Sequence, residues 1–156
     1  MDKYQELRAE ARQRLKNADH LITMSYPMVQ DSKLLLAAAK YLSLAVNKSM
    51  LSLLYYERAA RRIPPFHDDL DSSLNAFING VMPRYPIDKN YIKLMTDLDA
   101  LVRLHEESPV EFTRKDKYVM ADRKFELTEL TYPLLKDLLE RSKRFIEEME
   151  ILVSKG

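Results

Sequence analysis

The sequence predicts an all-α protein: an antiparallel four- to five-helix up-and-down bundle around one long central helix, with a short irregular or hairpin segment near residues 108–127. Three observations carry that prediction. The stretch from Asp31 to Arg62 contains no Gly or Pro and is apolar on nearly every face over its middle, so its neighbours must wrap it. Gly occurs only twice, at Gly80 and Gly156, which leaves few residues suited to the primed turns and bulges of β-structure. Elsewhere the apolar residues mostly step by three and four, the helical period. At 156 residues, 46% apolar and 31% charged, the chain reads as a single domain over 1–156, large enough for a core and too apolar for disorder.

The first helix is expected over about 2–25. Tyr4, Leu7, Ala11, Leu15, Ala18 and Ile22 form one stripe, Arg8, Glu10, Arg12, Lys16 and Asp19 lie on the other side, and Ser25-Tyr26-Pro27 reads as the stop. Asp31 suits the N-cap of the central helix 31–62. Arg58, Arg61 and Arg62 complement the dipole in its last turns, and Pro64-Pro65 ends it. A short helix through Leu70, Leu74, Phe77, Ile78 and Val81 is expected with Asp71 or Ser72 as its cap. The next helix starts at Asp88, with Ile87 and Ile92 placed as a hydrophobic staple. From Pro109 to about Leu127 the helical period is lost, and Val110, Phe112, Tyr118 and Met120 alternate with polar residues around a charged centre, as in a hairpin or an extended arm. The last helix opens near Thr131 with Pro133 in its first turn. Leu135, Leu138, Ser142, Phe145, Met149 and Leu152 then trace a heptad seam flanked by Leu139, Ile146 and Val153, with Lys143–Glu147 and Glu140–Arg144 at pairing distance.

Composition excludes several chemistries. Cysteine is absent, which removes disulfides, thiolate catalysis and Cys-ligated zinc. The N-terminus is densely charged without an apolar core segment. Lys40 and Lys48 interrupt the best membrane-spanning window. A cytoplasmic protein with no membrane contact is therefore expected. The formal net charge of +1 gives no global attraction to nucleic acid, so only a local patch could bind it. A carboxylate-bridged di-metal site needs Glu-x-x-His on two helices. The three histidines instead follow Asn17, Pro64 and Val102 at i−3, so no metal site and no cofactor are expected. Clustered glycines for a phosphate-cradling loop are missing too.

Two local patterns invite functional readings. His67-Asp68, with His20 upstream, resembles the ligand order of helical HD-type phosphohydrolases, but it follows Pro64-Pro65 and only Asp residues could complete the site, so a loop before the acidic helix start Asp68-Asp69-Asp71 is the simpler reading. Phe112-Thr113-Arg114-Lys115-Asp116-Lys117-Tyr118 and Arg123-Lys124-Phe125 could meet phosphates with Arg114, Lys115 and Lys117 while an aromatic stacks on an unpaired base. Interleaved acids leave a net charge of only +2 over residues 111–124, which favours a solvated turn. Arg58, Arg61 and Arg62 form a second candidate anion site, which helix capping also explains.

The stretch Ala18-Asp19-His20-Leu21, the turn Tyr26-Pro27 with Asp31-Ser32-Lys33-Leu34-Leu35-Leu36, and Leu53-Leu54-Tyr55-Tyr56-Glu57-Arg58 resemble prokaryotic HEPN-like helical bundles, chiefly over residues 15–62. The resemblance implies a four-helix core, a homodimer, and association with a nucleotidyltransferase-type protein or a nucleic-acid system. Ribonuclease members of that family carry Arg-x4–6-His on the last long helix. Here that helix has no His, and the spacing occurs only from Arg14 to His20 and from Arg61 or Arg62 to His67 across two prolines. The leading expectation is a non-enzymatic bundle acting through homodimerisation and partner binding. The alternative is a divergent RNA-binding or RNA-processing module using His20 or His67 with Arg14, Arg58, Arg61 and Arg62.

Overall fold

The computed structural model describes residues 2–155. Helix α1 (Lys3–His20) opens on a capping box between Asp2 and Gln5 and runs through a π-helical turn, Leu21–Ser25, into α2 (Tyr26–Val29). The central helix α3 (Lys33–Ala59) follows, then α4 (Leu70–Ala76), a π-helical turn Phe77–Val81, a 3-10 turn Met82–Arg84, and α5 (Asn90–Glu107). Strands β1 (Val110–Arg114), β2 (Lys117–Ala121) and β3 (Leu127–Leu130) form one antiparallel sheet in that order, and α6 (Tyr132–Lys155) closes the chain. The protein is thus mostly helical, but the expectation of an all-α class needs correction for a small three-stranded sheet.

The hairpin expected near 108–127 is formed by β1 and β2, and the third strand extends it into a sheet in spite of the scarcity of glycine. Arg114 pairs with Lys117 across a two-residue loop whose first residue, Lys115, takes the left-handed conformation at φ 58°, as hairpin geometry demands of any residue placed there. The β2–β3 turn likewise has Phe125 at φ 62°. It is held by Asp122, whose Oδ1 accepts the Lys124 and Glu126 amides at 2.8 and 3.0 Å. β3 escaped notice because its four residues are too few for a readable alternation.

Most helix boundaries follow local chemistry. Pro27 does not stop the first helix. The π-helical turn carries the backbone past it, with the Tyr26 amide bonded to the Leu21 carbonyl, and the stop comes at Gln30, left-handed at φ 55°. Asp31 Oδ1 accepts the Lys33 amide at 3.0 Å and Asp88 Oδ1 the Asn90 amide at 2.8 Å; the N-caps themselves are Ser32 and Lys89, so each carboxylate meets its helix start from one residue further out than expected. The α4 cap is Asp69, which accepts from Ser72, rather than Asp71 or Ser72. The central helix is shorter than 31–62. At 27 residues and 1.5 Å per residue it is about 40 Å long.

Helix α3 packs against α1, α4, α5, α6 and β2. Leu35, Leu42, Met50, Leu53 and Leu54 are fully buried along it. It is long and apolar enough to cross a membrane by composition, but half of that window is buried inside the protein. The α6 seam turns inward: Leu135, Leu138, Ser142, Phe145 and Met149 are buried, and so are the flanking Leu139, Ile146 and Val153. Phe145 meets Phe77 and Tyr91 edge-on, with centroids 6.3 and 5.1 Å away. Lys143 reaches Asp19 of the first helix at 3.4 Å instead of pairing along its own helix. Leu44, which the apolar run places in the core, is 43% exposed.

Two substitutions check this assignment of faces. Leu54→Asp puts an unpaired charge into the core and should abolish cooperative thermal unfolding. Leu44→Asp should stay folded with stability changed by only about 0.5 kcal/mol, as for other surface sites; a misfolded Leu44→Asp protein in circular dichroism melts would show that this face is covered.

Candidate functional site

The end of α3 gathers most of the residues singled out by sequence. Its backbone closes in a Schellman motif: Arg61 is left-handed at φ 59°, the Arg62 amide bonds the Glu57 carbonyl at 2.9 Å, and the Arg61 amide bonds the Arg58 carbonyl at 2.9 Å. This motif usually carries an apolar contact between the two outer residues. Here the same two positions hold an ion pair, with Arg62 Nε donating to Glu57 Oε2. Glu57 is fully buried, and its charge raises the Arg62 guanidinium above its ordinary range, chiefly through that hydrogen bond. Oε1 of Glu57 takes no hydrogen bond from the described residues. The Tyr85 hydroxyl is raised by burial first and by Glu57 second.

The remaining cations divide by task. Arg58 lies over the rings of Tyr55 and Phe66, 5.2 and 5.6 Å from their centroids. Arg84 donates to the Arg62 carbonyl at 3.3 Å. Arg61 is exposed and has no side-chain partner among the described residues. Arg58, Arg61 and Arg62 line an open hollow of about 510 Å³ against Ile63-Pro64-Pro65. On the same prolines a second hollow of about 350 Å³ opens toward Phe66, His67, Asn75 and Asn79. Gly80 forms part of that wall because a Cβ there would come within 2.9 Å of Ile63 Cγ2.

This arrangement can attract an anion but is poorly equipped to cleave one. Two of the three arginines already hold the fold together, and the helix C-terminus presents the negative end of its dipole. His67 is anchored only through its backbone amide, 3.1 Å from Ser72 Oγ, while the neighbouring Asp68 accepts from Tyr55 at 2.7 Å. No described residue orients the imidazole as a general base requires. Arg14 and His20 are both exposed on α1. Six residues separate them, about 9 Å along the axis and about a third of a turn around it, so they do not converge. Two of the three hairpin cations are also engaged: Arg114 and Lys117 meet Glu129 at 3.2 and 3.4 Å and lower its carboxyl, Arg114 first, while Lys115 at the turn has no side-chain partner among the described residues. Among the described residues no group of three His, Asp or Glu side chains is placed to hold a metal ion.

One constellation was not legible in the sequence. His105 Nδ1 sits 2.9 Å from both carboxylate oxygens of Glu111, and the Tyr118 hydroxyl donates to Glu111 Oε1 at 2.5 Å. The three residues come from α5, β1 and β2. They meet only because the sheet folds back on the helix, a register that spacing cannot reveal. Burial first, and Glu111 second, push Tyr118 up to about 12.

The other face of the sheet is exposed only in part. Tyr118, Met120 and Leu130 point into the core, and Thr113 meets Ser32 of the α3 start at 2.8 Å. By alternation, Val110, Phe112, Val119, Ala121 and Leu127 face outward, together with Glu129, Arg114 and Lys117. Val119 and Ala121 are buried, while Val110, Phe112 and Leu127 remain 45%, 38% and 49% exposed. No protein-family model, curated protein or solved structure matches this chain.

The Tyr118 shift predicts alkaline destabilisation. Above about pH 10 the unfolded chain loses the tyrosine proton while the folded protein keeps it, so stability falls as pH rises from about 10 toward 12. Tyr91, pushed up to about 12 by burial and Glu148, adds to the same slope. Urea unfolding across this range should show a shallower slope for Tyr118→Phe than for the wild type; equal slopes would refute the coupling.

Proposed function

We propose that this protein is a non-enzymatic, HEPN-like helical bundle of up-and-down, antiparallel topology that acts in the cytoplasm through homodimerisation and binding of a partner protein, for which the sequence resemblance suggests a nucleotidyltransferase. The observation that carries the reading is a surplus of apolar surface outside the core. The seams of α3 and α6 are used within the chain, yet Val110, Phe112, Phe125 and Leu127 lie exposed together around one small sheet. Exposed apolar groups clustered in this way favour an interaction surface over scattered residues, which need no explanation. The short link between α2 and α3, residues 30–32, supports antiparallel neighbours.

A second reading rests on a different observation, the arginine-lined hollow at the α3 tip with Arg61 unengaged. In that reading the protein binds RNA without processing it, because no histidine in the vicinity is held as an acid or base. The cation count is low and the site sits at a helix C-terminus, so association is the better supported function.

Light scattering after size exclusion at about 50 µM, where weak self-association becomes populated, should give a mass between monomer and dimer that rises with concentration. A constant monomer mass would count against homodimerisation. Retention of total RNA on the immobilised protein, lost in Arg61→Glu and steeply weakened by salt, would instead support the second reading.

A further inference from the structure

Phe125 is poorly explained by folding. It occupies the left-handed region at φ 62°, where Gly or Asn is favoured and a bulky side chain is an outlier. It is also 69% exposed, so its ring adds little to the core. The turn around it is tightly made: Asp122 accepts the Lys124, Phe125 and Glu126 amides, the Phe125 bond at 2.9 Å. A rigid backbone that displays an aromatic ring toward solvent has the form of an interface anchor.

The surroundings indicate what it anchors. Phe125 adjoins Leu127 at the head of β3, and Leu127, Ala121 and Val110 are register partners across the sheet, followed by the row Phe112, Val119 and Glu129. The two ends of this face differ in charge. The hairpin end carries Arg114, Lys115 and Lys117 against Asp116 and Glu129, a net positive set. The opposite end carries Glu107, Asp122 and Glu126 against Arg123 and Lys124, a net negative one. A two-fold axis lying in the plane of the face and across the strands brings the exposed Val110, Phe112, Phe125 and Leu127 of one copy against the same set of the other and each positive end over a negative one. The face is therefore complementary to itself, as an isologous dimer requires.

We infer that a second copy of this chain docks on the outer face of the β-sheet, strands antiparallel across the interface, with Phe125 of each copy as the anchor. This deepens the homodimer reading and rests on it. Three strands at about 4.8 Å spacing and five residues at about 3.4 Å give a plan area of roughly 250 Å², well below the roughly 800 Å² per partner of a tight interface. The dimer is accordingly weak, and self-association in the micromolar range and above is where it is visible.

Sedimentation velocity from about 5 to 200 µM tests the inference on the full chain. Leu127→Lys should raise the dimer dissociation constant at least about tenfold, and Phe125→Asn should do the same while leaving the melting temperature of the dilute monomer equal or higher, since Asn tolerates the left-handed backbone. Leu44→Lys, a similarly exposed apolar site on α3, should leave dimerisation unchanged. A wild type that stays monomeric throughout overturns homodimerisation as a whole. A dimer indifferent to both sheet variants keeps homodimerisation and overturns this face as its seat. A dimer weakened by Leu127→Lys but not by Phe125→Asn overturns the anchor.

Discussion

The burial of α3 is the constraint from which the rest of the structure follows. A helix with Leu35, Leu42, Val46, Met50, Leu53 and Leu54 at or below 1% exposure needs apolar cover on several sides. The first helix, α5 and α6 each contribute one stripe, and β2 contributes Met120. At about 1.5–3 kcal/mol for burying one large apolar side chain, those six leucine, valine and methionine side chains outweigh any single polar contact described here. The same demand draws in the α6 seam, which has the period of a coiled coil but finds its partner within the chain.

A second theme is the scarcity of glycine. Four non-glycine residues, Gln30, Arg61, Lys115 and Phe125, take left-handed conformations, at a cost of about 1–2 kcal/mol each where no local hydrogen bond compensates. At Gln30 and Arg61 the conformation ends a helix, and the carbonyls it exposes are met by the Gln30 amide on Tyr26 and by the Arg62 amide on Glu57. At Lys115 it closes the hairpin. Phe125 differs because the residue is both the least suited of the four to this backbone and a large apolar group left in solvent. That contrast is what singles it out for the proposed interface.

Much of the fold was legible because its elements carry local signals. Asp31, Asp88 and Pro133 marked helix starts that the structure places within two residues, and the positions of the α6 seam matched buried side chains except at Leu152, which is half-buried. The misses have physical causes. Pro27 was read as a stop because a π-helical turn, which absorbs its missing amide, leaves no sequence signature. Leu44 was assigned to the core because an apolar run does not say which faces neighbours cover. The site was less legible than the fold. Arg58 and Arg62 were found, but their engagement with Phe66 and Glu57 depends on tertiary placement. The His105–Glu111–Tyr118 contact depends on a sheet packed against a helix, which no spacing encodes.

Function in this account lies where the packing is finished. The helical core consumes its own seams, and the small sheet turns one face inward to hold α3 and α5 and offers the other outward. Hydrogen exchange followed by mass spectrometry at low and high protein concentration tests that division directly. Protection of α3 and α6 amides should be high and independent of concentration, while amides of residues 110–130 gain protection as concentration rises. Concentration-dependent protection of α3 or α6, with residues 110–130 unchanged, would contradict it.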